Sequence, residues 1–221
     1  MSSERVRVVC VDDHAFLAEG LRSRLELEPD LEFAGALPTA AQIIPAVKRL
    51  RAQIVLMDIE MPGPDPFEAI RDLRRRMPDV KCIVLSAYVR DRYFEAALEA
   101  GAWGYLHKGD DPDEIVAGIR RAAAGDFVLS PEVEQRCGLP HGARRPREPE
   151  RMATRLSLLT PREQQVLRMI GKGMSRTDIA RLLHRSPKTV DAHQTRIMDK
   201  LDIHDRVELV RYAIREGLAE P

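Results

Sequence analysis

From residue 6 to residue 124, short apolar runs alternate with segments in which apolar residues recur every three or four positions. Uninterrupted apolar runs are typical of strands buried on both faces, and the wider spacing is typical of amphipathic helices. The predicted strands cover residues 6–11, 31–36, 54–57, 80–85 and 103–106, and the predicted helices cover 15–27, 40–50, 67–77, 93–100 and 114–124. This alternation favours an α/β domain, a parallel sheet with helices on both faces.

The alternation ends after Ser130. Residues 138–149 contain three prolines, two glycines and three arginines, which indicates a solvated linker. From residue 159 onward the pattern is helical, and Thr160-Pro161-Arg162-Glu163 has the order of an N-cap, a first-turn proline and a capping-box glutamate. Further helices are predicted from residue 175, over 187–201 and over 206–216. We therefore expect a domain over 1–127, a linker over 128–155 and an all-α four-helix domain over 156–221.

Composition and charge indicate that the two halves of the chain have different roles. The 221 residues are 44% hydrophobic and 32% charged, which excludes a fully disordered chain. The 35 basic and 35 acidic residues cancel, but the net charge is −5 through Ser130 and +5 after it. Two modules with different partners are indicated, and the basic one is the candidate for nucleic acid.

The apolar runs and the cysteines bear on location. No apolar run approaches the roughly 20 residues that cross a bilayer, so no membrane contact is expected. The first residues lack the order of a signal peptide, and the three cysteines are too widely spaced to indicate a disulfide or zinc framework. The expected location is cytoplasmic.

Polar side chains follow the predicted strands where ligands bind in open parallel sheets, beyond the carboxyl ends. Asp12 and Asp13 follow the first strand, and Asp58 follows the third. Ser86 and Lys108 follow the fourth and fifth. Each alone has a structural explanation, such as a helix cap, a turn residue or a solvated charge. Their joint placement on successive strands indicates one site.

The chemistry of that site follows from its charges. Three converging carboxylates repel one another, and Mg²⁺ resolves the repulsion because it prefers oxygen ligands. A carboxylate beside Mg²⁺ can attack a phosphoryl group, while an ammonium and a hydroxyl hold the phosphoryl oxygens. Asp58 is the best nucleophile candidate, since it ends the central apolar strand and precedes the tight loop 61–64.

These residues stand in motifs that resemble the receiver domain of two-component response regulators. The motifs are Val11-Asp12-Asp13-His14, Met57-Asp58-Ile59-Glu60-Met61-Pro62-Gly63, Leu85-Ser86-Ala87 and Gly104-Tyr105-Leu106-His107-Lys108. The resemblance implies a flavodoxin-like sheet of five strands in the order 2-1-3-4-5. It further implies that a phosphohistidine donor phosphorylates Asp58. The implied contacts are Mg²⁺ on Asp12, Asp13, Asp58 and the main-chain carbonyl of Glu60, phosphoryl oxygens on Ser86 and Lys108, and an inward turn of Tyr105.

One departure from the family pattern lies beside the site. Pro66 stands where the family usually has glycine, eight residues after Asp58, so we expect a stiffer loop with the chemistry intact. Two alternatives remain. The first alternative is that the N-terminal half is a Mg²⁺-dependent phosphatase with an aspartyl intermediate. It is disfavoured because no general-acid Asp stands two residues after Asp58, where the chain has Glu60. A phosphorylation-independent scaffold regulator, controlled by a protein partner, is disfavoured by the intact acidic set.

The basic module predicts a helix-turn-helix over residues 174–201, a shape that suits the major groove of DNA. If Val190, Ile197 and Leu201 face inward on the third helix, the remaining side chains face outward. The predicted DNA-binding set is Lys188, Arg196 and Lys200 on phosphates, Asp191, Ala192 and Thr195 on base edges, and the neighbouring Thr189.

This second half resembles the LuxR-type DNA-binding domain through Leu159-Thr160-Pro161-Arg162-Glu163, Gly173-Met174-Ser175, Ser186-Pro187-Lys188-Thr189-Val190 and Ile197-Met198-Asp199-Lys200-Leu201. With the receiver in front, the chain is similar to NarL/FixJ-type response regulators. The resemblance implies a transcription factor rather than an enzyme, a sensor histidine kinase, double-stranded DNA, and a homodimer when active. The turn at residues 183–185 replaces the common Leu-Gly-Ile, which leaves its conformation open.

Overall fold

The computed structural model describes residues 5–137 and 155–219, which form two compact units. The proline-rich segment 138–149, predicted to be a linker, lies outside the described residues. Within the two described ranges, every helix is too short or too polar to cross a membrane.

The N-terminal unit is built on a parallel sheet in the order β2-β1-β3-β4-β5-β6. The strands are β1 (Val6–Val11), β2 (Leu31–Leu37), β3 (Ile54–Met57), β4 (Lys81–Ser86), β5 (Gly104–His107) and β6 (Val128–Leu129). The predicted order 2-1-3-4-5 is confirmed. The prediction of five strands is wrong by one, because β6 extends the sheet beyond β5.

Six α-helices accompany this sheet within residues 5–137. They are α1 (Ala15–Glu26), α2 (Ile43–Leu50), α3 (Pro66–Arg76), α4 (Asp91–Ala100), α5 (Pro112–Ala124) and α6 (Pro131–Cys137). Successive strand residues point to opposite faces. In β1, Val8 and Cys10 pack into a cluster with α1 and α5, whereas Val9 and Val11 are fully buried towards the other face. The near-continuous apolar strands of the sequence are therefore buried on both sides.

The short strand β6 depends on Gly104. A Cβ atom at Gly104 would lie 2.5 Å from the carbonyl oxygen of Val128, so only glycine allows β6 to pair here without a shift of the backbone. The ladder continues with the N–H of Ser130, which donates to the carbonyl of Tyr105 at 3.0 Å. A strand of two residues carries no periodic pattern, which is why the sequence predicts a linker at these positions.

Substitution of Gly104 by alanine is expected to lower the free energy of unfolding of this unit by about 1–3 kcal/mol, because β6 must move away from β5. Denaturant unfolding followed by the fluorescence of Trp103, the single tryptophan, measures this. Gly20→Ala is the matched control, since open space surrounds its Cβ position within α1 and alanine there adds about 1 kcal/mol of stability. Equal stability of Gly104→Ala and the wild type would contradict the assigned role of Gly104.

In the described residues 155–219 the C-terminal unit contains four α-helices, as predicted: α7 (Pro161–Gly171), α8 (Arg176–Leu182), α9 (Pro187–Leu201) and α10 (Arg206–Arg215). Each begins after a residue whose side chain accepts a hydrogen bond from the first turn, namely Thr160, Ser175, Ser186 and Asp205. One apolar cluster lies between the helices, and it includes Val166, Leu167, Ile170, Ile179, Val190, Ile197, Leu201 and Leu209.

Glu163 connects two of these helices. Its side chain is buried and accepts hydrogen bonds from the N–H of Thr160 at 2.8 Å and from Lys200 Nζ at 2.7 Å. Burial of the carboxyl acts to raise its pKa, but the bonds from Lys200 and Thr160 prevail and lower the pKa below its ordinary value. The ionised Glu163 therefore stabilises both the start of α7 and its contact with α9.

A carboxyl group whose pKa is lowered by folding stabilises the protein above its ordinary pKa, and this stabilisation is lost as the pH falls through the folded value. We expect Glu163→Gln to destabilise this unit at neutral pH by about 1–3 kcal/mol and to remove that acid dependence. Hydrogen exchange of α7 and α9, measured in the full chain at several pH values, tests this. Glu208→Gln, at an exposed position of α10, is the control, and an acid profile that Glu163→Gln shares with the wild type would refute the assignment.

Candidate functional site

The parallel pairing of β1 with β3 brings two acidic residues together. Val11 and Met57 are paired neighbours at the ends of these strands, so Asp12 and Asp58, which follow directly, lie side by side at the carboxyl edge. Both are buried, with 4% and 1% of their surface exposed. Asp13 lies at the same edge and is more exposed. The convergence of the three predicted carboxylates is thus observed.

Lys108, which follows β5, joins the two buried carboxylates. Its Nζ atom lies 2.6 Å from Asp12 Oδ2 and 2.8 Å from Asp58 Oδ2. Burial of the ammonium acts to lower its pKa, but hydrogen bonds to the two carboxylates prevail and raise the pKa above its ordinary value. Lys108 is therefore positively charged at neutral pH.

The acidic edge has the composition of a site for a hard divalent cation. Ligand atoms of Asp12, Asp13, His14 and Asp58 all lie within 4.8 Å of one another. Three carboxylates against the one ammonium of Lys108 leave an excess of negative charge, and carboxylate oxygens are the ligands that Mg²⁺ prefers. The donor set therefore fits Mg²⁺, the metal that the resemblance to receiver domains implies.

His14 belongs to this cluster, although no role is predicted for it beyond its place in the motif. Its ring atom Nδ1 lies 3.0 Å from Asp12 Oδ1 and 2.9 Å from Asp13 Oδ1. Its main-chain N–H donates to Asp12 Oδ1 at 2.8 Å. The motif spacing of two residues after Asp12 was the signal that could have found it. The N–H of Glu60 donates to Asp58 Oδ1 at 3.1 Å, while a metal contact of its carbonyl stays a prediction.

A single carbonyl oxygen joins two predicted switch residues. Ser86 Oγ accepts from the N–H of Tyr88 at 3.1 Å and donates to the carbonyl of Tyr88 at 3.2 Å. Tyr105 Oη donates to the same carbonyl at 2.7 Å. The Tyr105 ring is 1% exposed and meets Phe94 edge-on at 5.9 Å between centroids. Tyr105 is thus turned inward, and its hydroxyl shares an acceptor with Ser86.

Pro66 fits beside the site without disturbing it. It is the first residue of α3, a position where a missing N–H costs nothing, and Asp65 caps the helix by accepting from the N–H of Phe67 at 2.9 Å. The departure from glycine is therefore absorbed as an early helix start, one residue before the predicted one.

In the C-terminal unit, α8 and α9 form the helix-turn-helix. Between them His184 has φ 51°, in the left-handed region that glycine favours. This settles the conformation of the turn and shows that His184 takes the backbone geometry of the usual glycine. Ser186 then starts α9 by accepting from the N–H of Thr189 at 3.2 Å.

The orientation of α9 matches the predicted faces. Val190, Ile197 and Leu201 are fully buried. Five of the predicted DNA-binding residues are exposed and two are partly buried: Lys188, Ala192, Thr195, Arg196 and Lys200 in the first group, and Thr189 and Asp191 in the second. Their contacts with DNA stay predictions.

Two of these charged side chains have protein partners. Lys200 Nζ lies 2.7 Å from Glu163 of α7, and Asp191 Oδ2 lies 2.9 Å from Arg176 Nη1 of α8. Neither pair is visible in the sequence, because the partners are 37 and 15 residues apart and come together only when the helices pack.

Comparison with known proteins agrees with both halves. Residues 8–120 match the family described as response regulator receiver domain, and residues 157–213 match the bacterial regulatory proteins of the luxR family. The response regulator UvrY of Escherichia coli (strain K12) is 34% identical, over 96% of this chain and 95% of UvrY. The response regulator protein VraR of Staphylococcus aureus is 31% identical, over 97% of this chain and 99% of VraR.

A solved structure extends the similarity to the fold. RcsB from Salmonella enterica serovar Typhimurium, bound to promoter rprA in the presence of the phosphomimetic BeF₃⁻, superposes with a TM-score of 0.65 at 25% identity, over 94% of this chain and 98% of RcsB. Together with the receiver match and the UvrY and VraR relatives, this assigns the chain to the two-component response regulators of the NarL/FixJ type, with a receiver domain followed by a LuxR-type domain.

Proposed function

We propose that Asp58 accepts a phosphoryl group from a sensor histidine kinase and that this modification controls DNA binding by α9. The observation that carries the proposal is the contact of Lys108 Nζ with Asp12 and Asp58 at 2.6 and 2.8 Å, at an edge that also holds Asp13. Such a group of charges suits the transfer of a phosphoryl group, which depends on positioning and charge stabilisation.

The two oxygens of Asp58 have different partners. Oδ2 lies 2.8 Å from Lys108 Nζ. Oδ1 accepts the N–H of Glu60, which fixes the rotation of the carboxylate. An oxygen of the carboxylate forms the new bond to phosphorus while the phosphorus–nitrogen bond of the donor phosphohistidine breaks, and the departing imidazole takes up a proton. Mg²⁺, held by Asp12, Asp13, Asp58 and the main-chain carbonyl of Glu60, would neutralise the negative charge gathered there. The Lys108 ammonium then contacts the phosphoryl oxygens.

The switch follows from the shared carbonyl of Tyr88. When Ser86 Oγ turns to a phosphoryl oxygen it releases this carbonyl, which Tyr105 Oη continues to hold. The inward position of Tyr105 is then favoured by the same event that places charge on Asp58. Phosphorylation thereby shifts a two-state equilibrium of the receiver, since it interacts differently with the two states.

The output is binding to double-stranded DNA. The exposed basic residues of α9 support this, and RcsB, a relative with both domains, is bound to a promoter in the presence of a phosphomimetic. We infer that two chains bind together when phosphorylated, because two-fold symmetric half-sites suit paired helix-turn-helix units. Val207 of α10, 62% exposed, is available on the helix that usually supplies this contact in the family. The role is regulatory, and no steady turnover of a phosphate ester is expected.

Asp58→Asn is expected to abolish phosphorylation by acetyl phosphate with Mg²⁺, because an amide cannot form the acyl phosphate. Intact-protein mass spectrometry detects the added phosphoryl group. Asp65→Asn is the control, since asparagine also caps helices and Asp65 is exposed at the start of α3. Unchanged labelling of Asp58→Asn would place the acceptor elsewhere.

Lys108→Met is expected to bind Mg²⁺ about tenfold more tightly, because the ammonium that now neutralises Asp12 and Asp58 competes with the cation. The change, about 1.4 kcal/mol, is well below the ~4 kcal/mol between unit charges 4 Å apart near a protein surface. Titration calorimetry measures the affinity.

Labelling by acetyl phosphate is expected to fall in the same Lys108→Met variant, since a cation on the phosphoryl oxygens is lost. Lys48→Met, at an exposed position of α2, should match the wild type in both measurements. Weaker Mg²⁺ binding by Lys108→Met than by Lys48→Met would show that Lys108 does not compete with the metal.

A further inference from the structure

An ion pair joins the two helices of the helix-turn-helix and bears on the role predicted for Asp191 at base edges. Arg176 is the first residue of α8, and its Nη1 lies 2.9 Å from Asp191 Oδ2 and 3.2 Å from Asp191 Oδ1. Both side chains are about half exposed. Asp191 therefore does not present a bare carboxylate to the outside of α9, where the phosphates of DNA would repel it.

The geometry of the pair leaves part of the guanidinium available. Both contacts to Asp191 use Nη1, and within residues 5–137 and 155–219 the side-chain hydrogen bonds of Arg176 are confined to that nitrogen. The Nε–H and one Nη2–H point in parallel along the other edge of the planar group. This edge is a two-donor fork whose orientation is fixed by the bond to Asp191 on the opposite side.

The pair lies at the end of α9 that matters for sequence recognition. Asp191 is the fifth residue of this helix, and recognition helices place their N-terminal residues at base edges. The next exposed positions along α9 carry the small side chains of Ala192 and Thr195, which would obstruct an approaching base edge less than long side chains would.

We propose that Arg176 is a specificity-determining residue that reads a guanine in the major groove, with Asp191 as its positioning residue. A guanidinium fork pairs with the O6 and N7 acceptors of guanine in a bidentate manner. This inference rests on the proposed binding of DNA by α9. It replaces the direct reading of a cytosine amino group by Asp191 with a contact made from the neighbouring helix.

The charge of the pair separates this role from that of the other basic residues. Arg176 and Asp191 together are neutral, so the pair adds little to the attraction for phosphates. In the described part of the chain, Lys188 and Arg196 are exposed and take part in no ion pair with an acidic side chain, so they supply that attraction. The two kinds of contact predict different mutational effects, since phosphate contacts carry no sequence information.

Selection of bound sequences from a random DNA library, with the full chain treated with acetyl phosphate, tests the proposal. The wild type is expected to select a motif with a guanine in each half-site. Arg176→Ala should lose about tenfold or more of the preference for that guanine while the other positions of the motif remain. Arg176→Lys should keep only part of the preference, because an ammonium can donate to guanine but lacks the planar fork that Asp191 orients.

Two further variants separate positioning from charge. Asp191→Asn should weaken the preference at the same position by a smaller factor, and Arg176→Ala/Asp191→Asn should be no less selective there than Arg176→Ala alone. Arg196→Ala is the matched control and should lower the affinity for all sequences equally. Thermal unfolding of each variant, followed by circular dichroism, verifies that the exposed substitutions leave the helices folded.

The outcomes distinguish the inference from the function on which it rests. If Arg176→Ala keeps the complete wild-type motif and lowers affinity uniformly, as Arg196→Ala does, Arg176 is a phosphate contact and the inference is wrong. A cytosine preference that Asp191→Asn abolishes and Arg176→Ala retains would restore direct reading by Asp191. If the wild type selects no motif, sequence-specific DNA binding itself fails, and the inference fails with it.

Discussion

Two buried carboxylates held by one ammonium are the constraint on which the N-terminal unit depends. Asp12 and Asp58 lie next to each other because β1 and β3 are adjacent and parallel, and each is almost fully removed from water. Buried charges are costly unless they are paired, so Lys108 must reach both. The remaining negative charge, increased by Asp13, makes this edge suited to a cation and to phosphoryl chemistry.

Strand β5 connects the charged group to the rest of the sheet. Lys108 follows this strand, and Tyr105 within it donates to the carbonyl that also binds Ser86. At the start of the same strand, Gly104 lets β6 pair closely. The four residues of β5 and Lys108, which follows them, therefore connect three features: the charged site, the buried ring of Tyr105 and the added strand β6.

The helix-turn-helix unit uses its charges in two ways. Lys200 is committed to the buried Glu163, which fixes α9 against α7, and Asp191 is committed to Arg176. Lys188 and Arg196 remain exposed on α9. A basic excess in the sequence thus overstates the number of cations directed at phosphates, because some of them stabilise the domain or neutralise an acidic neighbour.

The sequence by itself determined the two-domain organisation, the five main strands, the four C-terminal helices and the acidic edge, whereas the strand order came from the resemblance to receiver domains. Hydrophobic periodicity and capping residues such as Thr160 are local signals, and parallel strands bring their ends to one edge whatever the details of packing. The tertiary structure alone decided β6, the place of His14 among the carboxylates, and the partners of Lys200 and Asp191. Those contacts depend on distances between side chains and backbone atoms of packed elements, which no periodic pattern along the chain encodes.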